Sequence, residues 1–270
     1  MNKLAIIIDT IGPLKQEIGF DKEAADESVF GRLVTVLREE RDNWYYVETD
    51  YKYRGYVHES YLLIDSEKAK KWDEEANHII NWGIVDVMKE PKYQSYNIKL
   101  LTRGAVIKLT GNEEENWAEV ELPNDEKGWV RKELIGKRIK PGTEIDENSF
   151  RKKVVETALT YLGTQYRWGG KTPLGIDCSG LASISYLING VIIYRDAKIK
   201  EEFGMKRITR DQIKIGDLLY WPGHVAIYIG NDKYIHSTGA SGGVVINSLN
   251  PEHDDYRKDL ADVKEFGTVF

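Results

Sequence analysis

A chain of 270 residues is longer than one compact domain usually is, so two or three units are expected. Hydrophobic residues make up 41% and charged residues 30%, with only 7 prolines, a globular balance that excludes a disordered or fibrous chain. The net charge of −6 and the lack of a long Lys/Arg run exclude the basic footprint of a nucleic-acid binder.

The chain opens with an apolar run, Leu4 to Ile8, which Asp9 ends. That is shorter than the roughly 7–15 residues of a secretory core, and no segment is long enough to span a bilayer. No membrane association is expected, and the sequence as given reads as cytoplasmic. Two stretches then repeat one pattern. Arg32 to Leu37 leads to Asn43-Trp44, with Gly55-Tyr56-Val57 eleven positions after the Trp; Ala105 to Leu109 leads to Asn116-Trp117, with Gly128-Trp129-Val130 at the same interval. Short alternating segments beside charged turns predict antiparallel strands in both. The copies resemble bacterial SH3-like domains, which carry a Gly-aromatic-Val strand near their end.

Between the copies, Ser66 to Ile80 carries good helix formers behind a residue able to cap, and predicts a connecting helix. The expected organisation is a first SH3-like domain over 1–65, a helical linker over 66–82, a second copy over 83–136, a linker over 137–147 and a C-terminal domain over 148–270. That domain opens with a helix over Phe150 to Leu162, with Gly163 as its C-cap. A glycine-rich turn follows through Gly170, and Asp177-Cys178-Ser179-Gly180-Leu181 opens a second helix ending near Gly190.

Cys178 is the one cysteine, which excludes an intrachain disulfide and thiolate-based structural zinc; no metal or cofactor is expected. A lone cysteine is more often a small buried hydrophobe. Its place in the first turn of a helix argues the other way, because unsatisfied N–H groups and the positive end of the dipole favour a thiolate. Such a nucleophile needs a base, and His58, His78, His224, His236 and His253 are the candidates. His224 begins one predicted strand and His236 lies on the next, after the turn Gly230 to Lys233. His224 fits the base and His236 the group that orients it. Both can face Cys178 only if paired positions sum to an even number, which predicts a three- or five-residue loop or a bulge near Gly230. A thiolate at Cys178 further predicts an activity optimum near neutrality and rapid loss to iodoacetamide.

Tyr166-Arg-Trp168-Gly-Gly170, Asp177-Cys-Ser-Gly-Leu181, Gly223-His-Val-Ala-Ile-Tyr228 and Tyr234-Ile-His236 together resemble the NlpC/p60 cysteine peptidases over about residues 148–270. The resemblance implies a papain-like α+β fold, here behind two small all-β SH3-like barrels, with Cys178 as nucleophile, His224 as base, His236 as orienting residue and Tyr166 as the hydroxyl that stabilises the oxyanion. Trp168, Asp177 and Ser179, inside the same motifs, are expected to contact substrate, although Asp177 is also placed to be a plain N-cap.

Pairing with two SH3-like domains narrows the resemblance to peptidases that cut between γ-D-Glu and an L-diamino acid in murein peptides with a free N-terminal L-Ala. There an Arg-Asp-Ala motif supplies an acid for the ammonium, and Arg195-Asp196-Ala197 matches it, with Tyr194 where the subgroup pattern has Pro. A buried ammonium calls for a carboxylate and an aromatic neighbour, so Asp196 is the first candidate, and Glu27, Tyr53 and Tyr56 are candidates from the first copy. Three other readings stay open: an exported endopeptidase or amidase acting on intact wall, a non-catalytic wall-binding module, and an acyltransferase of related fold. Composition sets neither the oligomeric state nor the choice between L-Lys and diaminopimelate.

Overall fold

The computed structural model describes residues 3–270, which divide into two compact units, one ending at Arg138 and the other running from Ile139 to Phe270. The N-terminal apolar run is the interior strand of a sheet: Ala5, Ile6 and Ile7 are fully buried in β1 (Lys3–Ile7). With β2 (Ile11–Lys15), β3 (Ala24–Val29), β4 (Leu33–Glu39), β5 (Trp44–Thr49), β6 (Arg54–His58) and β7 (Leu62–Ile64) it forms a 7-stranded antiparallel sheet ordered β3-β2-β6-β5-β4-β1-β7. Helix α1 (Ser66–Glu75), capped by the Asp65 carboxylate on the N–H groups of Glu67 and Lys68, leads to the second copy.

That copy contains β8 (His78–Ile80), β9 (Ile84–Met88), β10 (Asn97–Thr102), β11 (Val106–Glu114), β12 (Trp117–Glu121), β13 (Lys127–Arg131) and β14 (Ile135–Lys137), ordered β10-β9-β13-β12-β11-β8-β14. Raising every label of the first sheet by seven reproduces the second. The equal sequence interval now has a geometric meaning. Trp44 pairs with His58 and Val47 with Gly55; Trp117 pairs with Arg131 and Val120 with Gly128. The glycine permits a close approach on its other side, since a Cβ at Gly128 would stand 2.6 Å from both Ile98 and Val87 side-chain atoms. The second copy begins at His78, inside the segment expected to be linker. Its first strand is only three residues long, and its pairing is set by β11 and β14, far along the chain. The two copies are one unit: Phe30, from the first, is buried in the apolar core of the second, and the Val106 N–H donates to the Phe30 carbonyl at 2.9 Å.

The second unit begins with α2 (Glu147–Leu159), capped by Asp146, so the helix starts three residues before Phe150. A two-strand ribbon of β15 (Lys171–Thr172) and β16 (Gly175–Ile176) precedes α3 (Cys178–Leu187), whose residues from Ser179 onward are all buried. Burial on every side explains its small residues: a Cβ at Gly180 would lie 2.1 Å from the Gly170 carbonyl oxygen. The sheet of this unit is β17 (Lys206–Ile208), β18 (Leu218–Trp221), β19 (His224–Gly230), β20 (Lys233–Thr238), β21 (Gly243–Ser248) and β22 (Glu265–Thr268), ordered β17-β22-β18-β19-β20-β21. Its Leu219, Trp221, Ala226 and Tyr234 form a core cluster. The second unit is thus an α+β domain that follows two all-β copies in the chain. Among the described residues no helix is long and apolar enough to cross a membrane.

Candidate active site

The β19–β20 hairpin decides where the histidines point. Asn231 and Asp232, both with positive φ, form a two-residue turn closed by the Gly230–Lys233 pair, which alone would put His224 and His236 on opposite faces. A register shift between Tyr228 and Gly230 inserts the extra residue, and beyond it Tyr228 pairs with Tyr234 and Ile227 with Ile235. Position 236 therefore stands opposite 226, on the face that carries 224. The bulge required by parity is present, and the two rings meet: His224 Nε2 lies 2.7 Å from His236 Nδ1. His236 is fully buried and its Nε2 lies 2.9 Å from Asn247 Oδ1.

Cys178 occupies the first residue of α3, which packs against β19 and β20. Its thiol is pushed above its ordinary range, chiefly by burial and then by the neighbouring Asp177 charge, while the Val225 N–H, the Arg195 charge and the Ser179 N–H pull the other way. Val225 directly follows His224, so the thiol sits at the head of the strand that carries the base. His224 is pushed down to about 4, first by burial and then by His236 and Arg257. His236 is lowered as well, again mainly by burial. Both shifts act in the direction of a neutral thiol and a neutral imidazole. Burial and Asp177 thus act against the thiolate that the helix terminus favours.

Asp177, expected to contact substrate or to be a plain N-cap, caps α3 and is engaged by the protein on both oxygens. Its Oδ1 accepts from the Gly180 N–H at 2.6 Å, the Ser179 hydroxyl at 3.3 Å and Arg195 Nη1 at 3.1 Å; its Oδ2 accepts from the Gly169 N–H at 2.8 Å and Arg195 Nη2 at 3.2 Å. Five donors thus share the roughly four lone-pair sites of this carboxylate. Ser179 Oγ also accepts from Arg195 Nη1, at 2.6 Å. Asp177, Arg195 and Ser179 thus form a buried clamp between the glycine-rich turn and the start of α3. Tyr166 lies near enough to feel Cys178: its N–H donates to the Gly242 carbonyl at 2.8 Å, and burial followed by the Cys178 thiol raises its hydroxyl pKa. Trp168 is 59% exposed. Asp196 is half-buried and accepts a hydrogen bond from the Tyr194 hydroxyl, so the residue that departs from the subgroup pattern reaches the carboxylate that matches it.

Cys178, His224, His236, Tyr166 and the Asp177–Ser179 turn are therefore brought together, with Asp196 one residue beyond the clamp. Glu27, Tyr53 and Tyr56 belong to the other unit. Glu27 is buried on β3, Tyr53 packs on the first copy's core, and the Tyr56 hydroxyl accepts from Arg38 Nη2 at 3.1 Å. Two residues of the site went unread in the sequence: Arg195 as the partner of Asp177, and Asn247 as the partner of His236. Register across β20–β21 holds a signal for the second, since His236 pairs with Val245 and Asn247 lies two further along on the same face.

The NlpC/P60 family profile matches residues 163–261, a span holding every residue just described except those of the N-terminal unit. Dipeptidyl-peptidase 6 of Lysinibacillus sphaericus is 41% identical over 98% of this chain and 99% of its own length. A γ-D-glutamyl-L-lysine dipeptidyl-peptidase of Bacillus cereus is 27% identical over 83% of this chain and 70% of its own. The solved structure of an NlpC/P60 family protein from Bacillus cereus superposes with a TM-score of 0.78 at 20% identity, covering 97% of this chain and 98% of that one, which shows the same fold. With a near full-length relative at that identity and the family's motifs gathered around one thiol, the chain belongs to the NlpC/P60 family of cysteine peptidases.

Proposed function

We propose that this protein hydrolyses the bond between γ-D-Glu and the L-diamino acid of murein peptides that carry a free N-terminal L-Ala. The observation that carries the reading is the bulged hairpin that sets His224 on His236 at the head of the strand whose Val225 N–H meets the Cys178 thiol. The relatives named above, whose names state dipeptidyl-peptidase activity, support the bond. Cys178 Sγ attacks the γ-carbonyl carbon as its proton passes to His224; the tetrahedral oxyanion forms beside the Tyr166 hydroxyl; His224 returns the proton to the leaving amine, and water then hydrolyses the thioester with His224 again as base. With the thiol raised and the imidazole lowered, the formation of charge is favoured as the bond forms rather than before it. Groups that stabilise it then act on the transition state more than on the resting enzyme.

Asp196 is assigned to the substrate ammonium, and free peptides released from wall, rather than intact wall, are the substrates this implies. A cytoplasmic place of action goes with that choice. The test is mass spectrometry of products from L-Ala-γ-D-Glu-L-Lys, its N-acetyl form and whole sacculi. L-Ala-D-Glu and lysine should appear from the first, and acetylation should lower kcat/KM on the order of a hundredfold, because the half-buried Asp196 carboxylate loses the cation it pairs with. Comparable rates on the free and acetylated peptides would move the reading to intact wall.

A further inference from the structure

The hydrogen bonds behind the two histidines run in one direction, and their direction can be read from an atom that is not titratable. The Asp255 main-chain carbonyl accepts from Asn247 Nδ2 at 2.9 Å and from the Ser248 N–H at 3.1 Å. Asp255 is itself anchored, its carboxylate bridged by Lys233 Nζ at 2.5 and 2.7 Å. A carbonyl oxygen only accepts, so the amide NH2 of Asn247 must face it and the amide oxygen must face His236. Oδ1 in turn only accepts, so the hydrogen at the 2.9 Å contact belongs to His236 Nε2. In a neutral ring that leaves Nδ1 bare. At 2.7 Å from it, His224 Nε2 must then be the donor, and the bare nitrogen of His224 is Nδ1.

We propose that Asn247 is a positioning residue that sets the tautomers of both histidines and thereby makes Nδ1 of His224 the atom that takes the thiol proton. In the step, the Cys178 S–H bond breaks and an N–H bond forms at His224 Nδ1. His224 becomes an imidazolium whose Nε2–H already donates to His236, so the positive charge is stabilised without moving a second proton. Because an amide oxygen at Asn247 does not take up a proton as a carboxylate would, the proton goes no further than the two rings. The opposite tautomer would put a hydrogen on Nδ1 and leave the thiol facing a donor. Burial supports the argument from a second side, since both rings are lowered in pKa and rest neutral, the state in which tautomers are defined. The charged and titratable neighbours acting on the two rings are Arg257, Asp259 and each other, with Cys178 and Tyr234 close by.

This inference rests on the peptidase reading for its consequence, yet its test does not need a substrate. Long-range 1H–15N spectra of the histidine-labelled, substrate-free protein at pH 7–8 report which ring nitrogen carries hydrogen. Nε2–H is expected on both His224 and His236. Asn247→Leu, which keeps bulk and loses the acceptor, should turn His236 into a tautomer mixture and lower kcat on the order of tenfold to a hundredfold with KM little changed, by analogy with groups that orient metal-bound histidines. Asn247→Asp, which keeps an oxygen in place, should restore the Nε2–H form of His236. Nδ1–H on His224 in the wild-type protein would overturn the proposal whatever the variants do, as would Asn247→Leu with unchanged tautomers. Should the wild-type rings carry the expected hydrogens while the γ-D-Glu bond is left uncut, the substrate reading fails and this one stands.

Discussion

Two buried polar networks meet at Cys178, and they are built on opposite principles. On one side Asp177, Arg195 and Ser179 form an ionic clamp, with Arg195 and Asp177 only 2% and 9% exposed in their side chains and every oxygen of Asp177 occupied. On the other side His224, His236 and Asn247 form a line of neutral groups in which each hydrogen bond leaves one nitrogen free for the next. The clamp holds charge permanently and moves nothing; the neutral line is where a proton can be received. A helix N-terminus is often taken as enough to ionise a cysteine, but here the same helix end carries the Asp177 cap, and that carboxylate works against the thiolate. The Asp177 that caps the helix also pushes the thiol pKa upward.

The sharpest break in the comparison comes from removing the thiol itself. Cys178→Ala should lower turnover by about 10⁴-fold or more while leaving both networks assembled, as judged by an unchanged far-UV spectrum and kcat on the tripeptide. Next in size is the clamp. Arg195→Met strands a buried carboxylate and should destabilise the second unit by about 3–5 kcal/mol, read by urea denaturation. Adding Asp177→Asn should recover part of that loss, because no unpaired charge then remains buried; equal loss in the single and double variants would deny the clamp its ionic character.

A smaller effect separates a neutral pair from a preformed ion pair. Protonated His224 cannot accept the thiol proton, so kcat/KM should fall as pH drops through the His224 pKa, near 4 rather than its ordinary 6.5, leaving activity flat across neutrality. A half-maximal point at 6.5 would contradict the assignment. Since the thiol is raised, alkylation by iodoacetamide should be slow at pH 7 and accelerate above pH 9, the reverse of the rapid neutral-pH loss expected from the helix terminus alone.

What could be read in the sequence followed from periodicity and parity. The opening of α3 at Cys178, the three strands around His224 and His236, and the bulge near Gly230 all stem from rules that act within about twenty residues. The equal Trp-to-Gly interval in the two copies likewise reflects one cross-strand pairing used twice. The strand His78–Ile80 was hidden because three residues carry no period and its partners lie far along the chain. Arg195 was hidden as a clamp because it sits in an irregular segment, where only the fold reveals that its guanidinium reaches Asp177. The forces acting on the Cys178 proton were only half legible, because the dipole of a helix can be read in sequence and the burial of its first residue cannot.

The most direct test of the account is to catch the acyl group. The protein is mixed with L-Ala-γ-D-Glu-L-Lys, quenched in acid within the first turnover, digested, and the peptides weighed. The expected result is an L-Ala-D-Glu acyl group, joined through the γ-carbonyl, on the peptide containing Cys178, with none on the Cys178→Ala protein. An acyl group on any other residue, or product formation by Cys178→Ala at the wild-type rate, would contradict it.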